Sequence, residues 1–500
     1  MASPEAIEAL KAAFPSDQVS LPGTEAYKRL NSSYLCLLQS EIMPAAIFQP
    51  KTKEDVAKFL QIVKDDGATQ FAICGNGQQP APGCSNIEEG ITLNLGLLTG
   101  VELNADGTVS IGAGECWGSV VRKLAPEGLA VAGGRTGRGG IGGLALAGGL
   151  SYFSSREGFI SDNILGFEIV LASGEIVQAD ASSNPDLWRA LRGGGNNFGV
   201  VTKYHMATFK QGPIWGGNVL YPASGFSGQI DALVHEITKD DASVDTHIMI
   251  SVGYAAQINT ILCQNTVYYT QAVENAEPLK PFVSVQTPMF KAIDLGLKAI
   301  NSAFKSNLMR LNSVRMVTLP EAADAAAKSA MNGIRAVYMN TTVKADAATL
   351  KAAVEIYKSA IPSIKGCKGL IGSFTLQPYP VSLLKKSVEK GGNSLGLDPA
   401  EGPLVSVLLL TYWKSKSDDE TIVQAMKGVI EKIKKDAAIT NTLVPFTYLN
   451  YAANFQDPTG SYGEENKRAL QEVSRKYDPE GLFQKACPGG FKLFPPTTSD

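Results

Sequence analysis

The clearest early helical period follows Thr52, where Val56, Phe59, Leu60 and Val63 recur at three- and four-residue spacing with polar residues between them. Thr52 stands at the N-cap, and the next apolar run, residues 70–74, reads as a buried strand. Helix followed by strand opens an α/β pattern. Short strands are predicted at 91–95, 101–103 and 108–111, the last two joined across the tight turn Asp106-Gly107. Residues 116–124 carry a helical pattern. The runs 167–171 and 175–179 flank Ser173-Gly174 and predict a hairpin, 185–195 a short helix ended by glycines, and 200–206 a strand.

The pattern then changes. Residues 210–222 read as a connection punctuated by Gly and Pro, after which longer strands are predicted at 247–255, 261–270, 370–376 and 404–413. Helices are predicted between them at 320–332, 347–360 and 418–437, which suits an antiparallel sheet with helices on one face. The last sixty or so residues are rich in Gly, Pro and aromatics and are expected to fold back on the first part. The predicted class is α+β, and at 500 residues the chain exceeds what one core organises.

Composition narrows the function classes. Lys+Arg 45 against Asp+Glu 48 gives no electrostatic reason for nucleic acid or an anionic membrane surface as partner. No stretch approaches a membrane span, and residues 1–14 form an amphipathic pattern starting near Pro4, without the cationic end and apolar run of a signal peptide. An intracellular, cytoplasmic location is expected. The seven cysteines are scattered and without a CxxC pair, so free thiols are expected. The three histidines, His205, His235 and His247, lack metal-ligand spacing, which disfavours a zinc site or a His-based triad.

Glycine supplies the candidate chemistry. Residues 133–149 (GGRTGRGGIGGLALAGG) are followed by Asp162-Asn163 and by a second cluster at 193–199. Backbone this bare lets a ligand lie against it and offers N–H groups to phosphate, although glycine turns between strands are the simpler reading. Residues 137–142 match GxGxxG formally. A Rossmann turn needs a solid strand before it and a solid helix after it, whereas 129–132 is short and Gly148-Gly149 would weaken the helix.

With their neighbours, these segments resemble the FAD-binding fold of the vanillyl-alcohol-oxidase superfamily, and within it the berberine-bridge-enzyme-like oxidases common in fungi and plants. The matching stretches are 43–60, 74–86, 139–176 and 184–204, then YLNY (448–451), 461–470 and 476–483. The resemblance implies a PCMH-type FAD-binding domain of two subdomains, from residues 1–212 completed by 440–500, with a substrate domain at 213–439. FAD would contact Gly75, Asn76, Gly77, Gln78 and Gln79, the turn bearing Thr136, Gly137, Gly140, Gly142 and Gly143, then Asp162, Asn163, Gly199, Val200, Val201, Asn450 and Tyr451.

Three departures stand out. Gln78 occupies the place of a His that relatives bond to the flavin 8-methyl group, and Thr136 that of a Cys bonded to the ring in bicovalent members. An amide is no nucleophile for that carbon, so dissociable, non-covalent FAD is expected, with Cys84 or Cys74 as the alternative anchor. Glu157 stands where relatives carry Tyr. It is either a desolvated general acid or base, or a carboxylate paired with Arg156 or Arg138. Tyr448 resembles a base for the substrate hydroxyl, against a packing role. One of Tyr412 and Trp413, and one of Tyr268 and Tyr269, should face the flavin, the register being open. The implied activity is oxidation of a small metabolite, aromatic or polyketide-derived, with dioxygen as acceptor and Tyr448, Glu157 and Tyr412 as catalytic candidates. The alternatives are a non-redox cyclase, isomerase or dehydratase using Glu157, and a binding protein that kept the fold and lost turnover.

Overall fold

The computed structural model describes residues 1–304 and 311–494. Ser3 caps the first helix, Pro4–Ala13, by accepting from the Ala6 N–H. The predicted helix after Thr52 spans Lys53–Asp66 and starts with a reciprocal capping box between Thr52 and Asp55. Its buried stripe is Val56, Phe59, Leu60 and Val63. That stripe packs on a four-stranded sheet ordered Val19–Ser20, Ala46–Phe48, Ile91–Asn94, Phe71–Cys74, parallel except for the first pair. A second sheet, antiparallel and five-stranded, runs Val101–Leu103, Val109–Gly112, Val200–Met206, Ile164–Val170, Ile176–Asp180. One continuous core joins both sheets to tail residues Phe446, Tyr448, Tyr462, Phe483 and Leu493.

The third layer system is an eight-stranded antiparallel sheet ordered Arg315–Val317, Ile214–Pro222, Thr260–Tyr269, Thr246–Ala255, Ile371–Tyr379, Leu404–Trp413, Arg335–Lys344, Leu443–Val444. Helices Phe226–Thr238, Ala347–Ile364 and Asp419–Ile439 share a core with one of its faces. Strand alternation sorts the side chains: Ile250, Val252, Phe374, Leu376, Val405, Val407, Leu409 and Trp413 lie on the helix side. Met249, Gln377, Leu410 and Tyr412 therefore lie on the other face.

The expected connection at 210–222 is corrected: Ile214–Pro222 is a nine-residue strand paired on both sides. Gly216 read as punctuation, but it permits close approach, since a Cβ there would lie 2.2 Å from the Val267 carbonyl oxygen. The strand Arg335–Lys344 and the helices Phe226–Thr238 and Pro288–Phe304 were not predicted. The helix predicted at 320–332 runs Leu319–Ser329, set by a capping box between Thr318 and Glu321. No described helix is long and apolar enough to cross a membrane.

Candidate active site

Three segments distant in sequence meet where the first core faces the eight-stranded sheet. A Cβ on Gly140 would lie 2.9 Å from the Cβ of Asn76, so the 75–79 loop and the glycine run are pressed together. Gly77 adopts a positive φ of 60° with the Tyr34 ring over it. The 448–451 segment ties both loops down. Asn450 Nδ2 donates to the carbonyls of Leu144 and Ala147 at 3.3 and 3.1 Å, and Gln79 Nε2 donates to the Leu449 carbonyl at 3.3 Å.

Much of the glycine run serves packing. Added Cβ atoms at Gly133 and Gly134 would fall 2.6 and 2.4 Å from the Trp117 ring, and Gly149 abuts Ile160. Gly137 donates its N–H to the Ala323 carbonyl at 3.0 Å, against the helix Leu319–Ser329. By contrast, a Cβ at Gly75 or Gly143 would meet no described protein atom within 4 Å. In the glycine turn, against Gly139, Thr136 Oγ1 is buried without a hydrogen-bond partner among the described residues.

From this turn Arg135 reaches across to the sheet. Its Nη1 donates to Met249 Sδ at 2.7 Å and Gln377 Oε1 at 3.1 Å, and Nη2 donates to the Tyr451 hydroxyl at 2.6 Å. Tyr152 donates to the Arg135 carbonyl at 3.3 Å and packs on Tyr268 and His247. Tyr338 and Tyr412 pair hydroxyl to hydroxyl on the same sheet face. A narrow, partly open cleft is lined by Tyr152, His247 and Gln377 among others. Burial, helped by the nearby Arg135 charge, holds the His247 imidazole well below its ordinary pKa.

One wall of bare backbone opposite a wall of polar and aromatic side chains is the arrangement of a site for a large planar cofactor and a small molecule. Residues 44–180 match the FAD binding domain family. An FAD-dependent monooxygenase of Cochliobolus heterostrophus, tpcD, is 34% identical over 91% of this chain and 86% of its own length. A second, FUP4 of Fusarium proliferatum, is 33% identical over 96% of this chain and 90% of its own. The chain belongs to the same family of FAD-linked oxidoreductases as these two proteins. The fold agrees: a berberine-bridge-enzyme-like protein of Physcomitrella patens superposes with a TM-score of 0.77 at 16% identity, covering 98% of this chain and 99% of that one.

The residues present fit FAD. Open space over Gly75 and Gly143 and the orphaned Thr136 hydroxyl are features a bound group would use. Among the other expected contacts, Gly199 admits the neighbouring strand, since a Cβ there would lie 2.6 Å from the Val170 carbonyl oxygen. Val200 and Val201 are buried in the first core. Asp162 and Asn163 spend their side chains on the protein. The Asp162 carboxylate accepts from the Phe159 N–H, Ser387 and Asn393, while Asn163 donates to the Glu157 and Phe159 carbonyls and accepts from Lys390.

The catalytic expectations change most. Glu157 is corrected: its carboxylate lies between Arg156 at 3.0 Å and Lys390 at 3.1 Å, an ion-paired group rather than a desolvated acid or base. Tyr448 has no exposed surface, accepts from Asn450 Nδ2 at 2.9 Å, and is pushed by burial well above the ordinary phenol range. It lines no open space, and its packing role is what the structure displays. The registers resolve to Tyr412 and Tyr268 on the cavity face, with Trp413 and Tyr269 on the helix side. Cys74 is buried and Cys84 half-buried, and desolvation pushes each thiol up to about 11, which makes both poor nucleophiles.

Arg135, Met249, Gln377, Tyr338 and His247 were not found by reading the sequence as site residues. Arg135 sat in plain view between Gly134 and Thr136. The others come from strands whose polar alternation was the available signal, but nothing local says which face meets the glycine turn.

Proposed function

We propose that the protein holds FAD without a covalent bond and oxidises a small metabolite of secondary metabolism, aromatic or polyketide-derived, with dioxygen as electron acceptor. The observation that carries the cofactor reading is the pair of side chains at the two attachment positions, Gln78 and Thr136, neither of which can form the link. Gln78 instead donates to the Asn76 carbonyl at 3.1 Å, and the nearby thiols Cys74 and Cys84 are held in the unreactive protonated form by burial. In this reading residues 1–212 and 440–500 form the FAD-binding part, with 213–439 as the substrate domain. Gly75 to Gln79, Thr136, Gly140, Gly142, Gly143 and Asn450 line the cofactor.

Bound FAD supplies a hydride acceptor that dioxygen can reoxidise. The chain's own part is orientation and proton removal. Tyr451, whose hydroxyl accepts from the Arg135 guanidinium, takes over from Tyr448 as the tyrosine that meets the substrate hydroxyl and relays its proton. Tyr412 and Tyr338 face the same cavity and position the substrate ring. Acid precipitation of the purified yellow protein tests the attachment. FAD is expected in the supernatant, and a pellet that keeps its colour would overturn the non-covalent reading.

A further inference from the structure

We propose that Arg135 is an anion-binding subsite, and that the small molecule taken into this cavity carries an ionised oxygen, a carboxylate or an acidic phenol or enol, set against its guanidinium. The inference rests on the oxidoreductase reading above and adds the class of substrate. An arginine cannot shed its charge, and a charge even partly withdrawn from water, as that of the half-buried Arg135 is, is best met by an opposite partner or a full set of acceptors. Arg135 has neither. Among the described residues its three hydrogen bonds go to uncharged atoms, a thioether, an amide oxygen and a phenol, and no carboxylate pairs with it. Three of the five guanidinium N–H groups are thereby used, which leaves donors for a ligand.

Arg135 is half-buried, and the two buried arginines among the described residues are treated differently. Arg335 is clamped between Glu41 and Asp419 at 2.6 to 2.8 Å, and Arg192 is sheathed by four backbone carbonyls. Both are structural ties. Arg135 instead spans from the glycine turn to the sheet, which places its charge between the two walls of the cavity. A second observation points the same way: His247, 8% exposed and lining the adjoining cleft, keeps Nε2 without a hydrogen-bond partner among the described residues. A neutral imidazole N–H and a guanidinium on neighbouring strands and turn make a donor pair suited to a planar oxyanion.

The test uses the FAD-loaded protein and four probes: benzoate and pentafluorophenolate, with the uncharged benzamide and pentafluoroanisole as counterparts. Binding is read by calorimetry and by the shift of the flavin absorption bands. Wild type is expected to prefer an anion over its neutral counterpart by roughly tenfold to hundredfold. The preference should weaken with salt, and the member of the pair that shows it identifies carboxylate or phenolate. R135Q should retain FAD and lose the preference, with R135K recovering part of it. Equal affinity of wild type for charged and neutral probes, no binding of any probe, or an unaltered preference in R135Q would overturn the proposal. Release of FAD by R135Q would also overturn it, because the guanidinium would then serve the cofactor. In the first three cases a yellow protein leaves the oxidoreductase reading standing.

Discussion

The two walls of the cavity are made in opposite ways. The wall formed by residues 75–79 and 133–149 is mostly backbone, held in shape because its glycines fit against Trp117, Asn76 and Ile160. The facing wall is mostly side chain: Met249, Gln377, Tyr338, Tyr412, Tyr268 and His247 project from strands whose helix-side neighbours are almost uniformly apolar. Backbone offers the same N–H and carbonyl groups whatever residue carries it, so the first wall suits a cofactor shared across a family. Side chains can be exchanged without refolding the sheet, so the second wall is where one member distinguishes its substrate. Arg135 belongs to the first wall in sequence and to the second in contact, and Tyr451 of the tail meets it there.

The largest effect expected is at that junction. Tyr451→Phe should lower kcat about 10²- to 10⁴-fold with FAD retained, the range for removing a proton-transfer group, whereas Tyr448→Phe should change kcat by less than about tenfold. Activity insensitive to Tyr451→Phe would return the proton-transfer role to another group and erase the contrast between the two tyrosines.

Next comes the backbone wall. Gly143→Val adds atoms where no described protein atom lies within 4 Å, so the apoprotein should melt unchanged while FAD affinity falls on the order of a hundredfold. Gly134→Ala should do the reverse. Its Cβ would sit 2.4 Å from Trp117, which costs about 1–3 kcal/mol of stability by overpacking, read as a lower melting temperature of the apoprotein. If both substitutions act on FAD alike, the division of the glycines into packing and open positions is wrong.

The smallest effect concerns His247. Burial depresses its native pKa below the ordinary 6.5, so between the two values the unfolded chain binds a proton that the native chain does not. Stability therefore rises with pH through that window and is lost as pH falls below about 6.5, by at most ~1.4 kcal/mol per pH unit. His247→Asn should flatten the acid side of a melting temperature against pH curve by up to that slope. An unchanged curve would mean that the imidazole is not held neutral.

Local pattern was enough wherever a segment's role depended on itself. The Thr52 cap with its four-residue stripe, the hairpin around Ser173-Gly174 and the apolar strand ending at Trp413 all appear where their periodicity places them. It misled where a glycine served a distant contact: Gly216 looked like a break and is the point where two strands close up. Glu157 shows the same limit for chemistry. Its pairing with neighbouring Arg156 was one of two open readings, but Lys390 comes from more than two hundred residues away and decides between them.

By itself the sequence determined the cofactor. The glycine run, the Gln78 and Thr136 departures and the YLNY tail are residue identities, and identity alone decides whether backbone is bare or a nucleophile is present. Only the tertiary structure decided which side chains share the facing wall. Which of Tyr412 and Trp413 faces the cavity, and which tyrosine of the tail touches a cation, depends on strand register and on packing between segments far apart in the chain. Those are set by the burial of the whole core rather than by any local signal.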